Sequence, residues 1–323
     1  MTAMSRLVVV GGNGFIGSAI CRRALAQGMQ VTSVSSSGRP YQTPKGHTPA
    51  WVSRVRWETG DALKPETFAH HLDGAQSVVH TLGILLEDAK YKHAVRTGDV
   101  PALLGALLAG RNPLDTDSPT YEAVNRDSAL RVCEAFLASA PSAESDSAPR
   151  RAFVFISAAD VFRPWVPARY IETKRTAEAG LATLLAANTS PARIRGVYLR
   201  PGLVYHAHLR PLTTPAAALF DASASLAARL PGPIRDSLRR AIAHLPRASE
   251  ATPSPIESVA NMLTTPPMHV DHVGAAAVKA CLDAEMEGVL GVRQMREAIG
   301  WRDGPNGGDS EQISSSPFVQ ERV

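Results

Sequence analysis

Near its amino terminus the chain reads Leu7-Val8-Val9-Val10-Gly11-Gly12-Asn13-Gly14-Phe15-Ile16-Gly17. Four apolar residues predict a buried strand, and a helical pattern begins directly after the glycines. Gly11 permits a tight turn, Gly14 lets the backbone approach a phosphate, and Gly17 lets the helix lie close to the strand. The positive end of that helix then faces the phosphates, so the spacing predicts a dinucleotide-binding turn. The expected cofactor contacts in this turn are Gly11, Asn13, Gly14, Phe15, Ile16 and Gly17.

The second predicted strand, Val31–Val34, ends in Ser35-Ser36-Ser37-Gly38-Arg39. Sites that prefer NAD(H) carry an acid at this point, which binds the ribose 2′-hydroxyl. Here the chain offers hydroxyls and a guanidinium instead, and no carboxylate that would repel a 2′-phosphate. We therefore expect NADP(H) as the cofactor in preference to NAD(H), with Ser35, Ser36 and Arg39 as ligands of the phosphate.

The ends of the next two predicted strands supply further candidates. The third strand ends at Gly60-Asp61-Ala62, where a carboxylate can accept a hydrogen bond from the adenine amine. Asp61 and Ala62 are therefore candidate cofactor contacts, but Asp61 can equally cap the helix that follows, and both interpretations stay open. The fourth strand, Ser77–His80, contains a histidine that we interpret as a strand residue rather than a catalytic one.

The composition is that of an ordinary globular chain, since 44% of the 323 residues are hydrophobic and 20% are charged. Its three cysteines show no paired spacing, which predicts reduced, packed thiols and no metal site. No apolar run reaches the ~18 residues of a membrane-spanning helix. The strand that starts at Leu7 leads us to expect no secretory signal or cleavable presequence.

The net charge of +4 is unevenly distributed, because no Asp or Glu precedes Glu58. The basic amino-terminal segment is interpreted either as a solvated face or as a surface for anions. No aromatic stacking motif accompanies it, so we do not expect nucleic-acid binding.

Predicted strands alternate with predicted helices up to Val204. This alternation indicates an α/β fold with a Rossmann-type, doubly wound parallel sheet. We expect residues 1–205 to form the dinucleotide-binding domain. Residues 206–300 are predicted to form a smaller, mainly helical substrate or lid region that returns one strand, Met268-His269-Val270, to the core. Residues 301–323 lack periodicity and are predicted to be a disordered tail.

Tyr170 and Lys174 open the predicted helix that follows the fifth strand, Ala152–Ile156. Residues four apart share one face of a helix. An ammonium beside a phenol stabilises the phenolate and lowers its pKa from about 10. A tyrosine tuned in this way can donate or remove a proton near neutral pH, so this pair is the candidate for acid–base chemistry.

Together these motifs resemble the short-chain dehydrogenase/reductase superfamily, on its extended or atypical, NAD-dependent epimerase/dehydratase-like side. The matching positions, in family order, are Gly11-x-x-Gly14-x-x-Gly17, Gly60-Asp61, Thr81-Leu82-Gly83, Asn125, Tyr170-x-x-x-Lys174 and Arg200-Pro201-Gly202. The resemblance implies that Tyr170 is the general acid/base and that Lys174 binds the nicotinamide ribose. The further cofactor contacts that it implies are Thr81, Leu82, Gly83, Tyr170, Lys174, Pro201 and Gly202.

One position departs from the family pattern. Members carry a run of Ser or Thr after strand five, whose last hydroxyl orients the substrate carbonyl, but here the run is Ile156-Ser157-Ala158-Ala159. The usual catalytic hydroxyl position corresponds to Ala158. Ser157, one residue earlier, is the catalytic candidate that remains, so the resemblance supports cofactor binding more firmly than turnover.

The glycine turn, Phe155-Ile156-Ser157-Ala158 and Tyr170-Ile171-Glu172-Thr173-Lys174 are similar to a narrower group. It consists of fungal mitochondrial members linked to coenzyme Q biosynthesis, which are similar in turn to the NADPH-binding accessory subunit of respiratory complex I. This likeness implies a protein on the matrix side of the inner mitochondrial membrane, with other coenzyme Q biosynthesis proteins as partners. Two functions stay open: an NADPH-dependent oxidoreductase acting on a quinone-like or prenylated molecule, and a non-catalytic nucleotide-binding subunit of a membrane-associated complex.

Residues 234–245 are predicted to form a basic amphipathic helix. Its apolar positions at helical spacing are Ile234, Leu238, Ala241, Ile242 and Leu245. Such a helix can make peripheral contact with an anionic membrane surface, or it can cover the substrate pocket as a lid. The sequence leaves both interpretations open.

Overall fold

The structure is a computed structural model that describes residues 5–84, 121–141, 150–161, 167–188, 194–209, 213–229, 255–303 and 309–310. The amphipathic helix predicted at 234–245 lies outside them.

The centre of the fold is a seven-stranded sheet in which every neighbouring pair is parallel. The described strands are β1 (Arg6–Val10), β2 (Gln30–Ser35), β3 (Arg56–Thr59), β4 (Ser77–His80), β5 (Ala152–Ile156), β6 (Arg195–Leu199), β7 (Val204–Tyr205), β8 (Met268–His269), β9 (Gly288–Leu290), β10 (Arg302–Asp303) and β11 (Asp309–Ser310). The order across the sheet is β3-β2-β1-β4-β5-β6-β9. The order reverses between β1 and β4, as it does at the switch point of a doubly wound fold, so the predicted Rossmann-type sheet is confirmed.

Helices cover both faces of this sheet. Those that the structure describes are α1 (Phe15–Ala26), α2 (Ser128–Ala138), α3 (Ala168–Ala187), α4 (Thr213–Arg229), α5 (Pro255–Thr264), α6 (Val270–Leu282) and α7 (Val292–Ala298). A π-helical turn, Ala123–Asp127, leads into α2. Within the described ranges, no helix combines the length and the apolar character needed to cross a membrane.

The alternation of side chains along β1 divides the core into two layers. Leu7 and Val9 pack in one layer, with residues of α1 and α6, whereas Val8 and Val10 pack in the other, with residues of α2 and α3. The helices α1 and α6 approach closely at Gly274, where an added Cβ would lie 3.0 Å from the Ala19 carbonyl carbon. The free cysteines Cys21, Cys133 and Cys281 are all buried in these layers, as expected for packed thiols.

The carboxy-terminal region differs from the prediction in one detail. The strand β8 pairs with β7 in a separate two-stranded sheet, and the strand that returns to the main sheet is β9, beside β6. The residue that caps α6 is His269, whose Nδ1 accepts the Asp271 N–H at 3.3 Å. In the expected tail, the described residues of β10 and β11 form an antiparallel pair.

Candidate functional site

The glycine turn after β1 is closely packed against its own backbone. Gly11 has a φ of +87°, and its N–H donates to the Val34 carbonyl at 2.8 Å, which ties the turn to β2. The Gly14 N–H donates to the Gly11 carbonyl at 3.0 Å. A Cβ added to Gly17 would lie 2.2 Å from that same carbonyl oxygen and 2.7 Å from the Gly12 Cα. A side chain at position 17 would therefore push α1 away from the turn.

The amino terminus of α1 has the features of an anion site. Its N-cap residue, Gly14, carries no side chain that could bond the first N–H groups, and the first turn contains no acid. The opening N–H groups of a helix lack partners within the helix, and the helix dipole makes that end positive. A pyrophosphate fits these donors, with Phe15 and Ile16 following in the first turn.

The loop after β2 lies beside the glycine turn. The Asn13 side-chain amide donates to the Arg39 carbonyl at 3.3 Å and to the Ser37 hydroxyl at 3.4 Å. Ser36 and Arg39 are exposed at this point, whereas the Ser35 Oγ is buried and has no hydrogen-bond partner in the described structure. Of the three predicted phosphate ligands, Ser36 and Arg39 are thus the accessible ones.

Asp61 and Ala62 follow β3 at the same edge of the sheet. The Asp61 Oδ1 accepts the Leu63 N–H at 2.9 Å, so this carboxylate does stabilise the turn that follows it. Asp61 is nevertheless exposed, and its second oxygen leaves the adenine interpretation open. Ala62 packs into the core beside Phe68, which turns its methyl group away from solvent.

The segment after β4 connects the glycine turn to the candidate catalytic helix. The Thr81 hydroxyl donates to the carbonyls of Val10 and Gly11, at 2.8 and 3.2 Å. Two residues later, a Cβ on Gly83 would lie 3.0 Å from the Lys174 Nζ. Asn125, in the π-helical turn, fixes Ile84, the residue after Gly83. The Asn125 side-chain amide accepts the Ile84 N–H at 3.0 Å and donates to the Ile84 carbonyl at 3.2 Å.

Lys174 is only 2% exposed, which is unusual for a lysine. Its Nζ donates to the carbonyls of Leu82 and Ile156, both at 3.0 Å, and lies 4.6 Å from the centre of the Phe155 ring. Burial lowers the pKa of this ammonium to about 7, and the nearby Glu178 carboxylate opposes that effect. The ammonium is thus fixed between the ends of β4 and β5, where its charge can change near neutral pH.

Tyr170 lies one turn before Lys174, at the start of α3, in a partly buried position. Its ring is 6.4 Å from that of Tyr121, measured between centroids. A bidentate ion pair fixes this end of the helix, because Arg169 donates to both carboxylate oxygens of Glu122, at 2.9 and 2.6 Å. The two predicted catalytic residues therefore share one helix with a well-anchored beginning.

Ser157 points into a buried ionic cluster. Its hydroxyl donates to the Glu178 carboxylate and accepts from the Arg175 guanidinium at 3.2 Å. Sequence reasoning missed Arg175 and Glu178, although an acid four residues after Lys174 on a packed helix face was a usable signal. Ala158 is also held, because Arg175 donates to its carbonyl at 2.8 Å.

Pro201 and Gly202 follow β6 and complete this edge of the sheet. The Pro201 carbonyl accepts the Ala159 N–H at 2.8 Å, which ties the ends of β5 and β6 together. A Cβ on Gly202 would lie 3.3 Å from the Thr265 methyl group, so the strand end packs closely against the segment after α5. No group of His, Cys, Asp and Glu in the described ranges is suited to hold a metal ion.

His80 is a fully buried residue of β4, as the sequence indicated. The Ser128 hydroxyl donates to the Val124 carbonyl at 2.7 Å, so the His80 Nε2–H must be the donor in the 3.0 Å bond to Ser128. Burial, and then the charge of Lys174, lower the pKa of His80 to about 3. The ring is therefore neutral in the folded protein at neutral pH.

This lowered pKa predicts acid sensitivity. Between about pH 6.5 and about pH 3 the unfolded chain binds a proton at His80 that the folded chain does not, so the stability is complete above that window and falls as the pH falls through it. We expect His80→Leu to reduce this loss of unfolding free energy by up to about 1.4 kcal/mol per pH unit. Urea unfolding of both proteins at several pH values measures this, and parallel stability curves would contradict it.

Comparisons with known proteins show the family of this chain. Residues 7–234 match the NAD dependent epimerase/dehydratase family. MIOREX complex component 2 of Saccharomyces cerevisiae is 36% identical over 211 residues, which cover 63% of this chain and 74% of the yeast protein. An uncharacterized chloroplastic protein of Arabidopsis thaliana is 27% identical over 295 residues, which cover 91% of this chain and 77% of the plant protein.

Among solved structures, the chain is similar to 3-oxoacyl-(acyl-carrier protein) reductase from Brucella melitensis, determined in complex with NAD. The TM-score is 0.55 and the identity 16%, over 93% of this chain and 99% of the reductase, which supports the fold alone. The family match is more informative, because it covers more than half of the chain and includes the glycine turn, Tyr170 and Lys174. The chain belongs to the NAD dependent epimerase/dehydratase family.

Proposed function

We propose that this protein binds NADP(H) and is an oxidoreductase that reduces a quinone-like or prenylated small molecule, in or in support of mitochondrial coenzyme Q biosynthesis. The observation that carries the proposal is the buried Lys174 ammonium, held between two strand ends one helical turn after Tyr170. Burial of a lysine for packing alone is unfavourable, because the charged group loses its hydration.

The cofactor part of the proposal is supported by the glycine turn. Its close backbone packing and the uncapped start of α1 suit a pyrophosphate, while Ser36 and Arg39 suit a ribose 2′-phosphate. Lys174 has three ammonium hydrogens and uses two for carbonyls, so one donor is left for a ribose hydroxyl. The description of the family agrees with a nicotinamide dinucleotide.

The chemical part rests on Tyr170 and Lys174. A bound nicotinamide supplies a hydride. Tyr170 would donate the proton that accompanies the hydride, so that one hydride and one proton convert a quinone into a hydroquinone. Lys174 favours the phenolate that remains, because a cation on the same helix face lowers the pKa of a phenol.

Reduction of a short-chain benzoquinone by NADPH tests this function. We expect NADPH oxidation that requires both the protein and the quinone. The decrease in NADPH absorbance measures this oxidation. Tight NADPH binding without oxidation, for a panel of quinones and prenylated phenols, would exclude the oxidoreductase.

We expect Arg39→Ala to weaken NADPH binding by about 1–3 kcal/mol, the range for a hydrogen bond to a charged group. NADH affinity should hardly change, because NADH lacks the 2′-phosphate. Titration of each cofactor against the protein measures both values. Arg54→Ala is the matched control, since Arg54 is an exposed arginine beside β3 that lines a cavity with Arg6 and Val31, away from the glycine turn. Equal losses for NADPH and NADH would refute the assignment.

A second function is favoured by a specific observation. Ala158 stands where the family carries a hydroxyl, and the neighbouring Ser157 hydroxyl is engaged by Glu178 and Arg175. No hydroxyl of this segment is then available to orient a carbonyl. The alternative is therefore a non-catalytic NADP(H)-binding subunit of a membrane-associated complex, in which the cofactor has a structural or regulatory role.

We also propose a mitochondrial location, on the matrix side of the inner membrane, with peripheral membrane contact and other coenzyme Q biosynthesis proteins as partners. The resemblance to fungal mitochondrial members supports this, and the yeast relative is by its name a component of a complex. Fractionation of mitochondria, with protease protection and carbonate extraction, tests the location. Recovery only outside mitochondria would contradict it.

A further inference from the structure

A buried ionic cluster joins α3 to the ends of β5 and β6. We call it the Glu178 cluster, and its members are Ser157, Arg175, Glu178 and Arg200. The Glu178 side chain is about 6% exposed and accepts bonds from all three partners, including Arg175 at 3.0 Å and the Arg200 Nε at 2.9 Å. Arg200 also bonds the second carboxylate oxygen, so this carboxylate is fully engaged.

The cluster adjoins the candidate site along two routes. Along α3, Glu178 follows Lys174 by four residues and therefore lies on the same helix face. Along the strand end, Ser157 directly follows Ile156, whose carbonyl binds the Lys174 ammonium at 3.0 Å. Arg175 holds the next residue as well, through the Ala158 carbonyl. The cluster thus fixes both the helix that carries Lys174 and the segment that receives it.

We propose that Glu178 is a positioning residue of the dinucleotide site, which locks the Ile156–Ala158 segment and places a negative charge one helical turn from the Lys174 ammonium. The inference rests on the proposed dinucleotide binding. It also gives Ser157 a structural role, because the same carboxylate that acts on Lys174 binds the Ser157 hydroxyl.

The charges around Lys174 determine in which direction its pKa should change when the charge of Glu178 is removed. The groups that the described structure shows around it are the neutral His80 of β4, the Phe155 ring of β5 and two carbonyls. On its own helix, Tyr170 precedes it and Glu178 follows it by one turn. Among these, Glu178 is the acid that opposes the loss of the lysine proton. Removing its charge leaves the partly buried Arg175 and Arg200 without their acidic partner, so a proton on Lys174 becomes less favourable.

The test is the pH dependence of NADPH binding by the full chain, from about pH 6 to about pH 9, around the range in which Lys174 titrates. For the wild type we expect affinity to fall as the pH rises, because a neutral lysine no longer attracts the anionic cofactor. In Glu178→Gln, which keeps the size of the side chain, we expect the midpoint to move down by about one pH unit. Glu172→Gln is the control, because it removes an exposed charge from the same helix and should leave the midpoint in place.

Equal midpoints in wild type and Glu178→Gln, both folded by circular dichroism, overturn the role of Glu178 and leave the dinucleotide site intact. If Glu178→Gln does not fold, Arg175→Gln tests the same electrostatics with the opposite sign, and a midpoint that fails to rise overturns the inference. A wild type that binds no dinucleotide at any pH removes the proposed function, and the inference falls with it.

Discussion

Gly17→Ala is expected to lower dinucleotide affinity by about 100-fold or more. A methyl group at this position would lie 2.2 Å from the Gly11 carbonyl oxygen and 2.7 Å from the Gly12 Cα. Backbone atoms cannot rotate out of the way as a side chain can, so α1 must move away from the turn. A misplacement of about 1 Å in an enzyme site can cost a factor of about 100 in rate, and we expect a loss of the same order in dinucleotide binding. Titration with NADPH measures the loss.

The same change should reduce the free energy of unfolding by about 1–3 kcal/mol, as overpacking does. Gly28→Ala is the matched control, because Gly28 follows the other end of α1 with a φ of +75° and nothing lies within 4 Å of an added Cβ. Its cost is the left-handed backbone, about 1–2 kcal/mol, with no expected effect on affinity. Wild-type NADPH affinity in the Gly17→Ala protein would show that the turn does not hold the dinucleotide.

Tyr170→Phe is expected to lower turnover by about 10²–10⁴-fold, the usual contribution of a positioned proton donor. NADPH affinity should stay within about twofold of the wild type, because the change removes only the phenol oxygen. Steady-state kinetics with the best quinone substrate and a cofactor titration give the two values.

Tyr121→Phe is the control for this experiment, because it makes the same chemical change in the ring 6.4 Å away. It should retain turnover, since Tyr121 does not share a helix face with Lys174. Undiminished turnover in the Tyr170→Phe protein would exclude Tyr170 as the essential acid. The burial of Lys174 would then have a structural and not a catalytic reason.

The engaged Ser157 changes how the site is understood. In the family pattern a hydroxyl after strand five orients the carbonyl, but here the nearest hydroxyl bonds Glu178 and Arg175. In the proposed oxidoreductase, Tyr170 is therefore the group that acts on the carbonyl, without help from a hydroxyl after β5. The absence of a free hydroxyl at this point also makes the second function, a cofactor-binding subunit, a serious competitor.

Local patterns in the sequence were enough to predict the fold and the cofactor turn. The alternation of Leu7, Val8, Val9 and Val10 between two core layers needs only strand geometry. Gly14 and Gly17 make their close contacts with Gly11 and Gly12, within the turn itself. The pairing of Tyr170 with Lys174 on one face of α3 follows from helix geometry alone.

Contacts between distant parts of the chain were decided only by the tertiary structure. Lys174 bonds the carbonyl of Leu82, 92 residues away, and the direction of the Ser157 hydroxyl depends on Glu178, 21 residues later. The return of β9 rather than β8 to the sheet depends likewise on which edge β6 leaves open. Sequence periodicity records which face of an element is buried, but the pairing of two buried groups depends on how whole elements pack against one another.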